Sequence, residues 1–347
     1  MRLAAVVALL AALSGTPASA AAKGPDALLQ RAYAADRSVT YVATVHTRVN
    51  GASGATEADV KVWHSGGKQR MEYVSGPMAG RVLVDDGTHV YWLQTEDRTA
   101  VAAPAGGSPA NMALLLRNYK VTAGGVATIA GRRALLLKVS PRKPPGPRRD
   151  VWIDSATSVI LRTDSYTSDG RLQASTRVVS ISFPARLSET LFALPRGWTV
   201  TQHSPNAGEK LSIAEASQKI GMPVYQPSVL PAGFHLQGVY LATTGSGIPM
   251  VHLRYTDGLN SLSVFQHAYR RGGGMGMGRG MGMGMGRRWR GGRGMMQGEA
   301  GDGIGQCQIL HGAPGLSLRV YRSDRVYVLI ADLPAAELER VASSLPQ

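Results

Sequence analysis

The side chains able to do chemistry are few and dispersed. Histidines stand at His46, His64, His89, His203, His235, His252, His267 and His311. None follows the H-x-H, H-x-x-x-H or H-E-x-x-H spacing that aims two imidazoles at one zinc ion. His46, His64 and His89 fall on separate strand-like segments, where a sheet-face histidine needs no ligand. The single cysteine, Cys307, lies between Gln306 and Gln308, without a basic neighbour in sequence to favour the thiolate. It reads as a small buried apolar residue, and one cysteine excludes an intramolecular disulfide or a C-x-x-C centre. Asp85-Asp86 and Glu96-Asp97 pair carboxylates, but at turn positions where aspartate is ordinary. A nucleophile elbow, a phosphate loop and a dinucleotide fingerprint are all absent from the sequence. These residues point to a protein that is not an enzyme and that needs no cofactor.

One segment has chemistry of another kind. Residues 270–298 hold thirteen Gly, seven Met and seven Arg, with no acid. Such a stretch cannot build a core, and disorder is expected for it. Three readings compete: a tolerated low-complexity expansion, a soft-metal trap and a basic arm. Met275, Met277, Met281, Met283 and Met285 form M-x-M repeats whose thioethers suit Cu(I) or Ag(I). Trp289 among Arg287, Arg288 and Arg290 suits an interfacial anchor on anionic lipid or lipopolysaccharide, a peripheral membrane contact.

The surrounding elements set the compartment and the architecture. Arg2, the apolar run Leu3–Leu13 and Ala18-Ser19-Ala20 form the three regions of a secretory signal peptide over residues 1–20. No cysteine near that cleavage point marks a lipoprotein, so a periplasmic location is expected. Export also removes the nucleic-acid reading of the net charge of +15. Seven of those charges sit in the 270–298 segment; residues 21–198, with 23 basic and 14 acidic residues, supply most of the rest.

After a short helix at Asp26–Arg37, Tyr41, Ala43, Val45, Thr47 and Val49 alternate with polar residues, which predicts a half-buried strand. Further strand-like runs follow at about ten-residue intervals, separated by Gly66-Gly67, Asp86-Gly87 and Asp169-Gly170. The spacing predicts a curved antiparallel sheet or barrel. Ser108-Pro109 opens an all-round apolar helix through Met112–Leu116, expected to lie against the concave face. The large domain is placed at 21–198, a linker at 199–210 and a small α+β domain at 211–347. Ser212 to Glu215 is a capping box, Gly221 a helix stop, and Leu338, Val341, Ala342 and Leu345 the inner face of a final helix. The fold class is α+β, mostly antiparallel β. Candidate liners of an apolar pocket inside the large sheet are Tyr41, Val45, Val62, Met71, Tyr73, Val82, Val84, Tyr91, Leu93, Met112, Leu115 and Leu116.

Several runs resemble a known family. These are Met78–Val84 with Asp85-Asp86-Gly87, Ile129–Arg132, Arg149–Asp154 with its Val-Trp-Ile-Asp, and Ser168–Leu172. In the small domain they are Leu230–Phe234, His252–Phe265 and Ala331–Leu338. Together they are similar to the MucB/RseB family of periplasmic regulators of sigma-factor signalling. The resemblance implies a half-open β-barrel cradling helices, like the lipoprotein carriers LolA and LolB. It also implies an apolar cavity for lipid, lipopolysaccharide or mislocalised lipoprotein, and a surface for the periplasmic part of a membrane anti-sigma factor. Within the run Tyr255-Thr-Asp-Gly-Leu-Asn-Ser-Leu-Ser-Val-Phe265, the candidate partner contacts are Tyr255, Asp257, Leu259 and Phe265. The 270–298 segment departs from the family pattern. A lipid or lipoprotein carrier and a Cu(I)/Ag(I)-binding protein are the alternatives.

Overall fold

The computed structural model describes residues 24–35, 37–51, 54–104, 112–144, 146–202, 209–243, 248–268, 303–304, 308–309, 316–322, 324–331, 333 and 335–346. The expected signal peptide, the 270–298 segment with its five methionine candidates, and Cys307 lie outside the described residues.

Helix α1 (Pro25–Ala35) precedes a hairpin that the alternation at Tyr41–Val49 dictates. Strands β1 (Tyr41–Gly51) and β2 (Gly54–Ser65) pair antiparallel, with Val45 opposite Val60 and Ala43 opposite Val62. Paired residues share a face, and these four are all buried. The two-residue turn to β3 (Lys68–Tyr73) uses Gly66 and Gly67, both at positive φ, which a side chain would resist. β4 (Val82–Asp85), β5 (His89–Gln94) and β6 (Thr99–Pro104) extend this meander outward. After α2 (Met112–Asn118) a second meander runs through β7 (Tyr119–Ile129), β8 (Arg132–Pro141), β9 (Arg148–Asp154), β10 (Ile160–Tyr166) and β11 (Leu172–Ser182). β11 closes on β1, so β1 joins the two meanders into one sheet.

A 3-10 turn at Glu189–Phe192 leads to β12 (Thr199–Gln202), which pairs parallel to β6. The residues expected to begin a linker at 199 are therefore a twelfth strand. The final order is β12-β6-β5-β4-β3-β2-β1-β11-β10-β9-β8-β7. Its two edges do not meet, so the sheet is open, as a half-open barrel requires. Residues 105–111, where the second helix was expected to start, lie outside the described residues.

The small domain follows its pattern closely. Ser212 and Glu215 form a reciprocal capping box on α3 (Ile213–Ile220), and Gly221 ends it at a left-handed φ of 70°. β13 (His235–Thr243), β14 (Pro249–Thr256) and β15 (Ser261–Ala268) form a meander. The short strands β16 (Gly303–Ile304) and β17 (Gln308–Ile309) both pair along one edge of β18 (Leu316–Tyr321), whose other edge pairs with β19 (Arg325–Ala331). β19 lies beside β15, giving the order β13-β14-β15-β19-β18-β16. α4 (Ala335–Ser343) buries Leu338, Val341 and Ala342, and Leu345 just beyond it, as its periodicity predicts.

Candidate functional site

The twelve pocket candidates do not converge. Tyr41, Val45, Val62, Met71 and Tyr73 share one cluster on the inner face, together with Leu83. Val82, Val84, Tyr91 and Leu93 point the other way. They pack with Ala100, Leu194 and Trp198 on the outer face. The reason lies in register. Met71 pairs with Leu83, so its neighbours Val82 and Val84 lie opposite Glu72 and Arg70 on the reverse side. Val82-Leu83-Val84 is an apolar run without alternation, so its parity is set by the connection before it. Met112, Leu115 and Leu116 belong to a third cluster, where α1 and α2 cover Val121, Leu137, Val139 and Val151.

That third cluster shares the inner face with the first. Thr47 pairs with Thr176, Thr176 with Thr163, Thr163 with Val151, and Val151 with Leu137. A threonine row thus separates two apolar patches on one face. Two hydroxyls on this face, those of Tyr73 and Thr176, are buried without a hydrogen-bond partner among the described residues. Burial alone pushes the Tyr73 phenol up to about 12.

A second constellation joins the domains. The Thr256–Asn260 turn between β14 and β15 folds on itself: Asp257 Oδ1 accepts the N–H groups of Leu259 (2.8 Å) and Asn260 (2.6 Å). Its other oxygen accepts the Tyr119 hydroxyl at 2.6 Å and Asn260 Nδ2 at 2.9 Å. Asn118 Nδ2 donates to the carbonyls of Gly233 (3.0 Å) and Asp257 (2.8 Å). Gly258, at φ +96°, passes so close to α2 that a Cβ would sit 2.5 Å from the Leu115 nitrogen. Only glycine fits there. Burial first, and the Asp257 carboxylate second, raise the Tyr119 pKa far above the usual phenol range.

The structure sets the four partner candidates at buried or half-buried positions. Asp257 is buried inside the molecule, its carboxylate already spoken for. Tyr255 is buried in the small-domain core. Leu259 is half-buried against the α1–α2 cluster, and half-buried Phe265 stacks on His252 with centroids 4.1 Å apart. The Asp-Gly turn was legible in sequence, but its docking partners Asn118 and Tyr119, about 140 residues away, were not. The one sequence clue is a five-residue stretch, Thr256–Asn260, whose only apolar member is Leu259, between two apolar strands.

Among the described residues the histidines act singly. His46 Nδ1 lies 2.9 Å from Asp59 Oδ1, His64 Nδ1 lies 2.8 Å from the Val39 carbonyl, and His89 Nδ1 lies 3.1 Å from the Thr88 hydroxyl. Among the described residues, no cluster of three or more His, Cys, Asp or Glu is arranged for a metal ion. No described helix is long and apolar enough to cross a membrane.

Comparison with known proteins places these features in context. Residues 24–195 match the MucB/RseB N-terminal domain. A crystal structure of MucB in complex with MucA(peri) superposes with a TM-score of 0.61 at 19% identity, covering 93% of this chain and 98% of that one. The MucA/MucB complex of Pseudomonas aeruginosa gives 0.61 at 18% identity with the same coverage. MucB alone gives 0.57 at 18% identity, again over 93% and 98%. The likeness therefore spans both domains. No curated protein matches the chain in sequence.

Proposed function

The chain belongs to the MucB/RseB family, and from that premise we propose that it is an exported, non-enzymatic regulator of an envelope-stress sigma factor. It binds the periplasmic part of a membrane anti-sigma factor and is released from it by lipid, lipopolysaccharide or mislocalised lipoprotein. The observation that carries the reading is the two-domain likeness to MucB bound to MucA(peri), over 93% of this chain. A carrier built on the large sheet alone would not need the small domain. The joint at Asp257 and Tyr119 supports a role for both domains together, because it ties the small domain to the helix that covers the inner face.

The inner face supports the amphiphile half of the reading. It offers two apolar patches with a threonine row between them, and the buried hydroxyls of Tyr73 and Thr176 have no hydrogen-bond partner among the described residues. An unmade bond to a buried hydroxyl costs about 1–3 kcal/mol, which a ligand carrying acceptors recovers. The test is a pull-down with the full mature chain from solubilised membranes. Recovery of a single-span membrane protein, released by added lipopolysaccharide, is expected. Recovery of bound lipid with no protein partner would replace this reading with the carrier alternative.

A further inference from the structure

The outer face of the large sheet holds a recess that the inner-face reading does not use. It has a volume of about 330 Å³ and is lined by His46, Arg48, Glu57, Arg162, Ser175 and Arg177, among others. Ligand pockets run from about 300 Å³ upward, so this one suits a small polar group and not a whole lipid.

Register sets its charge. Arg177 on β11 pairs with His46 on β1 and with Arg162 on β10. Like charges directly opposite across a sheet destabilise it, so a row of this kind needs an external counter-charge or internal acids. The internal acids are already engaged. Glu57 takes Arg48 at 3.0 Å, Asp59 takes His46 at 2.9 Å, and Asp164 takes Arg162 through two bonds of 3.0 and 2.6 Å. Arg162 also lies over Trp152, its Cζ 4.5 Å from the ring centroid. The Arg177 side chain is exposed and, among the described residues, makes no hydrogen bond or ion pair. Its guanidinium is the free fork of the row, beside neighbours fixed in place by other groups. A planar fork of N–H donors matches the oxygens of a phosphate bidentately.

We propose that this recess binds a phosphate-type oxyanion, free or carried on a lipid headgroup, with Arg177 as the principal donor and Arg48 and Arg162 as flanking charges. The site is distinct from the inner face and from the domain joint. Arg48, Arg162 and Arg177 come from three strands and meet only through the β1–β11 and β10–β11 pairings, so no local sequence signal marks the recess.

The experiment uses the full mature chain. Inorganic phosphate is titrated by NMR chemical-shift perturbation, and flotation is measured with phosphatidylcholine vesicles with and without phosphatidic acid. Arg177→Gln is compared with Arg171→Gln, whose parent is an exposed arginine paired with Asp169 outside the recess. Arg177→Gln should weaken binding about tenfold or more, the loss of one bidentate charge-assisted contact, while Arg171→Gln leaves it unchanged. Sensitivity with free phosphate identifies the free ion as sufficient; sensitivity only with phosphatidic acid vesicles identifies a headgroup. Either supports the site. Binding that Arg177→Gln leaves intact, or shifts confined to an acidic peptide while both phosphate probes fail, would overturn it.

Discussion

In the small domain, α3, the central strands and α4 bury their apolar residues in one continuous cluster. In the large domain the buried apolar residues divide among three, two on the inner face and one on the outer. The small domain is thus a block with one centre, while the large one is a wide sheet whose two faces carry separate patches. A block resists deformation because every core residue supports the same packing. A sheet covered by two short helices leaves face area for other work, here the threonine row with its orphan hydroxyls inside and the arginine row outside. The joint at Asp257 ties the rigid unit to the adaptable one.

The contrast can be broken most directly in the cores. Leu338→Ala empties the single centre of the small domain, where the parent residue is fully buried. A loss of about 2–5 kcal/mol is expected from chemical denaturation. Val84→Ala on the outer patch should cost about 2 kcal/mol, two buried methyl groups, and leave the small domain's transition in place. Equal costs spread over both transitions would mean that the two domains share one cooperative core.

The joint comes next in size. Tyr119→Phe deletes the hydroxyl that donates to buried Asp257 and accepts from Asn260. Hydrogen bonds to charged groups are worth about 1.5–3 kcal/mol. The variant should weaken the coupling between the domains, seen as a wider separation of their two unfolding steps than in the parent, together with faster amide exchange at Leu259 and Asn260. An unchanged separation would show that the Gly258–Leu115 contact alone carries the coupling.

An acid-sensitive element separates the domains further. Burial first, then the nearby Arg254 charge, lowers the His252 pKa to about 3. The folded imidazole stays neutral while the unfolded one gains a proton below about pH 6.5. Stability from this group is therefore full above that pH and declines as pH falls toward 3, by up to about 1.4 kcal/mol per unit. His252→Gln should flatten the acid limb of the small domain's stability curve. An unchanged limb would assign acid lability to the carboxylates instead. In the large domain Asp154 is one such group: burial raises its pKa, but bonds from Arg132 and Thr157 outweigh that and lower it.

What was legible in sequence followed locality. The β1 alternation, the Gly66-Gly67 and Asp169-Gly170 turns, the Ser212–Glu215 capping box and the inner face of α4 each depend on residues a few positions apart. All stand in the structure where the pattern put them. The β4 face was ambiguous because Val82, Leu83 and Val84 are equally apolar, and only pairing with Met71 decides it. Thr199–Gln202 reads as linker because its partner β6 lies about a hundred residues earlier and it has too few apolar positions to announce a strand. The roles of Asp257 and Arg177 depend on strands brought together by the whole sheet, so no local signal carried them.

The smallest predicted effect concerns how β12 is held at the sheet edge. Arg98 sits in the β5–β6 turn at φ +53°, a left-handed conformation that costs a side-chain-bearing residue about 1–2 kcal/mol. Its side chain is exposed, while its carbonyl accepts the Thr199 N–H at 3.0 Å and so helps dock β12. Arg98→Gly keeps that carbonyl and removes the strain, against about 0.5–1 kcal/mol of added freedom in the unfolded chain. A net gain of about 0.5 kcal/mol in the large domain is expected from the shift in denaturation midpoint, with the small domain unmoved. A loss instead would mean that the arginine stem covers the β12 edge, and that this edge of the wide sheet depends on side-chain cover as well as on backbone pairing.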